Sequence, residues 1–112
     1  MLIYFYIYDR IYKMAKKLKK VFSLSLDPGY RNYTIRDIID LKGKKKLTQI
    51  CVNTAKEAAA AEEAGIDIIL IRFCPEIESI RRAAAKTFMT ASVPFIKYSD
   101  KHDAIKDCLE II

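Results

Sequence analysis

The chain has 112 residues, 20 Lys and Arg against 14 Asp and Glu, three cysteines, no tryptophan and 52% hydrophobic residues. That length fits one small domain and falls well short of the roughly 250 residues of a complete (β/α)₈ barrel. With 30% charged residues, three Gly and three Pro, neither disorder nor a collagen-like repeat fits.

Charge is unevenly spread. Residues 1–46 carry twelve basic and four acidic side chains, and residues 47–112 carry eight and ten. A basic half can serve as a phosphate-binding arm, although a solvated leader and helix surface is the commoner meaning of such spacing. The chain opens on MLIYFYIY, which Asp9 and Arg10 interrupt. A membrane span takes about 20 apolar residues, so none is expected. No basic stretch precedes the apolar run and no small-residue cleavage site follows it, which argues against a signal peptide. The run reads either as a β-prone or membrane-touching leader or as a segment outside the folded unit, with Met14 as an alternative start. Residues 1–33 are accordingly set apart as a basic, aromatic leader, and 34–112 as the α/β domain. Lys16, Lys17, Lys19 and Lys20 form a basic cluster, but only Phe22 lies near it in sequence, too little interleaving for nucleic-acid recognition. Asp27-Pro28-Gly29 predicts a turn.

Regular patterning begins at Thr34. Thr34-x-x-Asp37 has the form of a capping box, Ile35, Ile38, Ile39 and Leu41 recur at helical spacing, and Gly43 suits the position just past the helix. Leu47–Val52 has strand character. Thr54-x-x-Glu57 is a second capping box, opening a helix over Ala55–Ala64 that Gly65 ends. Ile66–Ile71 is apolar apart from Asp67 and suits a strand buried on both faces. Pro75 fits a first helical position, with Glu76 and Glu78 in the positive first turn of a helix to about Lys86. Thr87–Ala91 reads as a third strand. Ser99, Asp100 and Asp103 open a last helix through about Glu110. A leading helix followed by three strand–helix units implies parallel, adjacent strands in sequence order.

In parallel α/β folds ligands collect at the carboxyl ends of the strands. The candidate substrate-binding residues there are Asn53, Arg72, Cys74 and Ser92. Each has a structural alternative. Asn53 and Thr54 can simply cap a helix. Arg72 can hold a carboxylate or phosphate, or can pair with Glu76. Cys74 has no His or other base following it that would make it a nucleophile. Ser92 stands outside any GxSxG elbow. There is no P-loop or dinucleotide fingerprint. Cys51, Cys74 and Cys108 are odd in number without a CxxC pair, and His102 is the single histidine. No metal site or disulfide framework can be read from them, and reduced thiols in a cytoplasmic protein are expected.

The stretches TIRDIIDLKGKKKLTQI, AAAAEEAGIDIILI and TASVPFIKY, between Thr34 and Tyr98, resemble the opening of the ketopantoate hydroxymethyltransferase (3-methyl-2-oxobutanoate hydroxymethyltransferase) family. The resemblance implies a partial (β/α)₈ TIM-barrel-like fold of the phosphoenolpyruvate-binding superfamily, a leading helix plus three parallel βα units. It also implies transfer of a hydroxymethyl group from methylenetetrahydrofolate to a 2-oxo acid in pantothenate synthesis, with Mg²⁺ polarising the keto acid. Two strand-end aspartates of the family hold that ion. One lies in a Gly-Asp-Ser where this chain reads Arg72-Phe73-Cys74, and the other lies where this chain has Ser92. The interval between the second and third strands is also shorter than in the enzymes.

Three functional expectations follow. The first is a divergent hydroxymethyltransferase-like segment that is not competent alone and takes neither Mg²⁺ nor methylenetetrahydrofolate by itself. The second is a binding or assembly module that pairs through an open sheet edge with a copy of itself or with a complementary barrel segment. The third and weakest is nucleic-acid association through Lys16–Lys20.

Overall fold

The computed structural model describes residues 18–23 and 25–111. The apolar run 1–13, the alternative start at Met14, and Lys16 and Lys17 lie outside the described residues. Among the described residues no helix is long and apolar enough to cross a membrane.

The first elements form a hairpin. Strand β1 (Lys19–Phe22) pairs antiparallel with β2 (Pro28–Arg31), with Lys20 opposite Tyr30 and Phe22 opposite Pro28. The sequence reading places a turn at Asp27-Pro28-Gly29 and no strands here. The reversal instead occupies Ser23–Asp27. There the Ser23 hydroxyl accepts the Asp27 N–H at 3.1 Å, the Ser23 carbonyl accepts the Leu26 N–H at 3.0 Å, and Leu26 takes a φ of 64°. Pro28 opens an edge strand, a position that needs no N–H from it.

Helix α1 (Ile35–Leu41) starts as its sequence requires. The Thr34 hydroxyl accepts the Asp37 N–H, and the Asp37 carboxylate accepts the Thr34 N–H at 2.8 Å. Gly43 follows with a φ of 74°, in the left-handed region where glycine avoids the Cβ clash.

Three parallel strands come next, in the order β3 (Gln49–Cys51), β4 (Ile68–Arg72), β5 (Phe88–Ser92). Gln49, Ile68 and Phe88 share a rung, and Arg72 and Ser92 form the last rung of the β4–β5 ladder. Parallel pairing in sequence order is the topology that the alternating pattern predicts. Helix α2 (Ala55–Glu63) lies between β3 and β4 in the chain, and α3 (Ile77–Ala83) between β4 and β5. Helix α2 ends in a Schellman motif: the Ile66 N–H donates to the Ala61 carbonyl and the Gly65 N–H to the Glu62 carbonyl, with Gly65 at a φ of 77°.

Helix α3 differs from expectation at both ends. Glu76, not Pro75, stands at its N-terminal boundary, without a side-chain cap, because the Cys74 carbonyl first accepts the Ile77 N–H in a tight turn. Its far end is Ala83 rather than Lys86. The Arg81 guanidinium collects the carbonyls of Ala84, Ala85 and Thr87 at 2.9, 2.8 and 3.0 Å, which draws the chain out of the helix. A 3₁₀ turn at Phe95–Lys97 follows β5, and the last helix is α4 (Lys101–Ile111). Asp100 caps it, accepting the N–H groups of His102 and Asp103 at 2.7 and 3.1 Å, so the helix begins two residues after Ser99.

Side chains alternate across the strands. Val52, Ile69 and Ile71 are buried with Ala58 and Ala61 of α2, with Ile80 of α3 and with Ala84, and Met89 and Ala91 pack against this cluster. The opposite face of the sheet carries Cys51, Ile68, Leu70, Phe88 and Thr90, and none of these is fully buried. The result is a mixed α/β unit with α2 and α3 on one face of an open three-stranded sheet. Among the described residues the sheet does not close.

Candidate functional site

The carboxyl edge of the parallel sheet brings three of the four candidate residues into one region. Asn53 follows β3, Arg72 ends β4 and Ser92 ends β5, and all three are exposed. The backbone sets this edge firmly. The Val52 N–H donates to the Leu70 carbonyl and the Phe73 N–H to the Ser92 carbonyl, both at 3.0 Å.

Asn53 leads into the α2 cap. Its N–H donates to the Glu57 carboxylate at 2.7 Å, while the Thr54 hydroxyl accepts the Glu57 N–H at 3.2 Å. This is a shifted capping box, with the carboxylate one residue upstream of its usual target. Glu57 is thus committed to a structural bond. Arg72 makes no ion pair or hydrogen bond through its side chain with another described residue, so pairing with Glu76 does not occur. The Ser92 hydroxyl donates weakly, at 3.3 Å, to the Ile71 carbonyl. Cys74 departs from the group: it is half-buried and packs against the core cluster. Among the described residues no three His, Cys, Asp or Glu side chains gather in a way that could hold a metal ion. Chemically, the edge offers a cation, an amide and a hydroxyl.

The opposite, amino-terminal edge holds a polar network that the sequence does not announce. Asp67, immediately before β4, is buried. Its Oδ1 accepts the Tyr33 hydroxyl at 3.0 Å, and its Oδ2 accepts the Thr48 N–H and hydroxyl at 2.9 and 3.0 Å. Lys45 Nζ in turn donates to the Tyr33 oxygen at 3.0 Å. Asn32 bridges two strands, donating from its side chain to the Asp67 carbonyl at 2.9 Å and accepting the Phe88 N–H at 2.7 Å. Nearby, one Glu62 oxygen accepts the N–H groups of Lys86 and Thr87 and the Thr87 hydroxyl, all within 2.9 Å. Arg31 donates to the Ala85 carbonyl at 2.6 Å, beside Arg81. Burial, with the neighbouring Arg31 charge, lowers the Arg81 pKa to about 10. Arg81 Nε is buried without a partner among the described residues. In a parallel α/β fold this end of the strands serves stability.

The chain is similar to 3-methyl-2-oxobutanoate hydroxymethyltransferases. It is 33% identical over 84 residues to the enzyme of Kosmotoga olearia, an alignment covering 57% of this chain and 32% of the enzyme. Against the enzyme of Thermosipho melanesiensis it is 28% identical over 95 residues, covering 66% of this chain and 36% of the enzyme. Against that of Staphylothermus marinus it is 27% identical over 88 residues, covering 61% and 32%. The chain therefore spans about a third of the length of the curated relatives it matches. No family model and no solved structure matches it.

Proposed function

We propose that this chain is a barrel segment related to 3-methyl-2-oxobutanoate hydroxymethyltransferase, which acts by assembling through its open sheet and does not transfer hydroxymethyl groups alone. The observation that carries this reading is the last rung of the β4–β5 ladder. It presents Arg72 and Ser92, followed by Phe73, where the resemblance calls for carboxylates. Mg²⁺ needs anionic oxygens converging at one point, and a guanidinium there opposes a dication. The donor set does not fit the ion. The family's metal-assisted polarisation of a keto acid therefore has no ligands at this edge.

Assembly has its own support. Parallel sheets are ordinarily covered on both faces or closed into barrels, whereas Ile68, Leu70 and Phe88 lie on a face that no helix among the described residues fully covers. Among the described residues, the outer strands β3 and β5 also leave backbone N–H and C=O groups available for further pairing. A second copy of the chain, or a complementary barrel segment, supplies what this face and these edges lack. The cytoplasm is the fitting setting, since Cys51, Cys74 and Cys108 are free thiols.

The test combines three measurements on the purified full chain. Incubation with 3-methyl-2-oxobutanoate, methylenetetrahydrofolate and Mg²⁺ should give no turnover above the uncatalysed rate, and calorimetry should find no saturable Mg²⁺ site of micromolar affinity. Light scattering should find a species larger than the monomer. Saturable turnover would overturn the non-catalytic half of the proposal, and a monodisperse monomer with a cooperative melt would overturn the assembly half.

A further inference from the structure

The outward face of the β1–β2 hairpin places together what the basic half of the chain lacks as a linear sequence. Strand alternation sets Lys20 and Phe22 on one face of β1, and the antiparallel register sets Tyr30 beside Lys20 and Pro28 beside Phe22. All four are exposed, Phe22 at 60% and Tyr30 at 54%, whereas Val21, Gly29 and Arg31 on the inner face are half-buried. Lys20 Nζ sits 5.3 Å from the centroid of the Phe22 ring. Phe22 and Tyr30 are diagonal cross-strand neighbours on the same side of the hairpin, a relation that spaces residues about 7–8 Å apart.

Further cations lie close by. Lys19, on the inner face, donates to Asp37 at 2.6 Å and so ties the hairpin to α1. Lys19 and Lys45 line one cavity of about 400 Å³ with Asp37 and Leu41, so Lys45 meets the hairpin from its inner side. Lys42, Lys44 and Lys46 are exposed, and with Lys20 they make no ion pair among the described residues.

We propose that this hairpin face binds single-stranded nucleic acid. Two bases stack on Phe22 and Tyr30, and the phosphates run past Lys20 and around the hairpin toward Lys42, Lys44 and Lys46. Exposed aromatics interleaved with cations on a β-surface are the working parts of sequence-tolerant single-strand binding. A duplex keeps its bases stacked inside and cannot use the two rings. A protein partner would disfavour a lysine in the middle of its contact, because Lys is depleted from interface cores. The inference is independent of the barrel reading, since it uses neither the parallel sheet nor its carboxyl edge.

Fluorescence polarisation on the full chain with a labelled oligo(dT) of about 12 nucleotides tests it. Saturable binding is expected, weakening by about tenfold or more between roughly 50 and 200 mM salt. The double variant Phe22→Ala/Tyr30→Ala should bind at least about tenfold more weakly with the salt slope unchanged. Phe22→Tyr/Tyr30→Phe should retain wild-type affinity, and Lys44→Gln/Lys46→Gln should flatten the salt slope. Circular dichroism checks that each variant is folded. Ultraviolet crosslinking of the unmodified chain to the oligonucleotide, with peptide mapping, should label the 19–31 segment and needs no variant. The proposal fails if no saturable binding occurs, if a folded alanine variant binds as wild type does, or if the crosslink maps elsewhere. Equal affinity for a blunt duplex, or capture by phosphatidylserine vesicles in preference to the oligonucleotide, would overturn it too.

Discussion

Replacing Asp67 with alanine is the most informative single perturbation of this fold. Asp67 is only 7% exposed, and its carboxylate accepts from the Tyr33 hydroxyl, the Thr48 N–H and the Thr48 hydroxyl. A hydrogen bond to a charged group contributes about 1.5–3 kcal/mol, and a buried donor left unpaired costs about as much again. These bonds share one carboxylate whose own burial is costly, so they do not add, and a net loss of about 3–5 kcal/mol is expected for Asp67→Ala. Domains of this size are stable by about 5–15 kcal/mol, which makes the loss a large fraction of the total. At about 4–8 °C per kcal/mol, Tm should fall by roughly 12 °C or more. Asp67→Asn keeps one carbonyl acceptor but turns an NH₂ toward either Tyr33 or the Thr48 N–H, and should cost about 1–3 kcal/mol. Thermal and urea melts should therefore rank wild type, Asn and Ala in that order with an unchanged m-value. An alanine variant melting within about 2 °C of wild type, a difference under about half a kcal/mol, would refute the view that this network holds the strand entrances together.

Three further outcomes are expected. The Lys19 ammonium donating to Asp37, with the Thr34 backbone and hydroxyl, lowers the Asp37 pKa from 3.8 to about 2, so what this tie adds is fully present above pH 3.8 and is lost as pH falls through about 2. Carboxyl NMR titration should show that low midpoint and its return toward 3.8 in Lys19→Ala; a midpoint that the substitution leaves in place would contradict the assignment. Ile80 is completely buried in the core cluster, and Ile80→Ala should cost about 2–5 kcal/mol through lost transfer energy and an unfilled cavity, measured by urea unfolding. Gly65 sits at a φ of 77°, so Gly65→Ala should cost about 1–2 kcal/mol in the same assay, and a neutral result would mean that the Schellman turn relaxes freely.

Local chemistry made much of the parallel unit legible. Thr34 with Asp37, Thr54 with Glu57, and the two positive-φ glycines Gly43 and Gly65 act on neighbours within a few residues, and the helix boundaries they mark are those observed. The alternation of short apolar runs with helices likewise contained the order and direction of β3, β4 and β5. What was not legible depends on partners far along the chain. The hairpin lacks apolar alternation, and its register emerges only when Ser23 closes the turn. Asp67 reads as an interruption in an apolar strand until Tyr33 and Thr48 meet it from 34 and 19 residues away. Arg81 shortens α3 through carbonyls that a helical pattern would have kept inside the helix. At the carboxyl edge, Asn53, Arg72 and Ser92 lie at the strand ends that the apolar runs mark, whereas Cys74 packs against the core cluster.

Three consecutive residues, Asn32, Tyr33 and Thr34, each hold a different part of the molecule. Asn32 spans the entrances of β4 and β5, Tyr33 reaches Asp67, and Thr34 starts α1. Tolerance to insertions and deletions is therefore sharply divided within a short stretch of chain. Ser23, Ser25, Leu26 and Asp27 of the reversal are exposed, and Ser23 bonds to Leu26 and Asp27, so lengthening it alters nothing beyond the hairpin. One residue added or removed between Arg31 and Thr34 shifts the phase of all three attachments together. Length variation in related chains should thus collect in the hairpin loop and stop at Asn32.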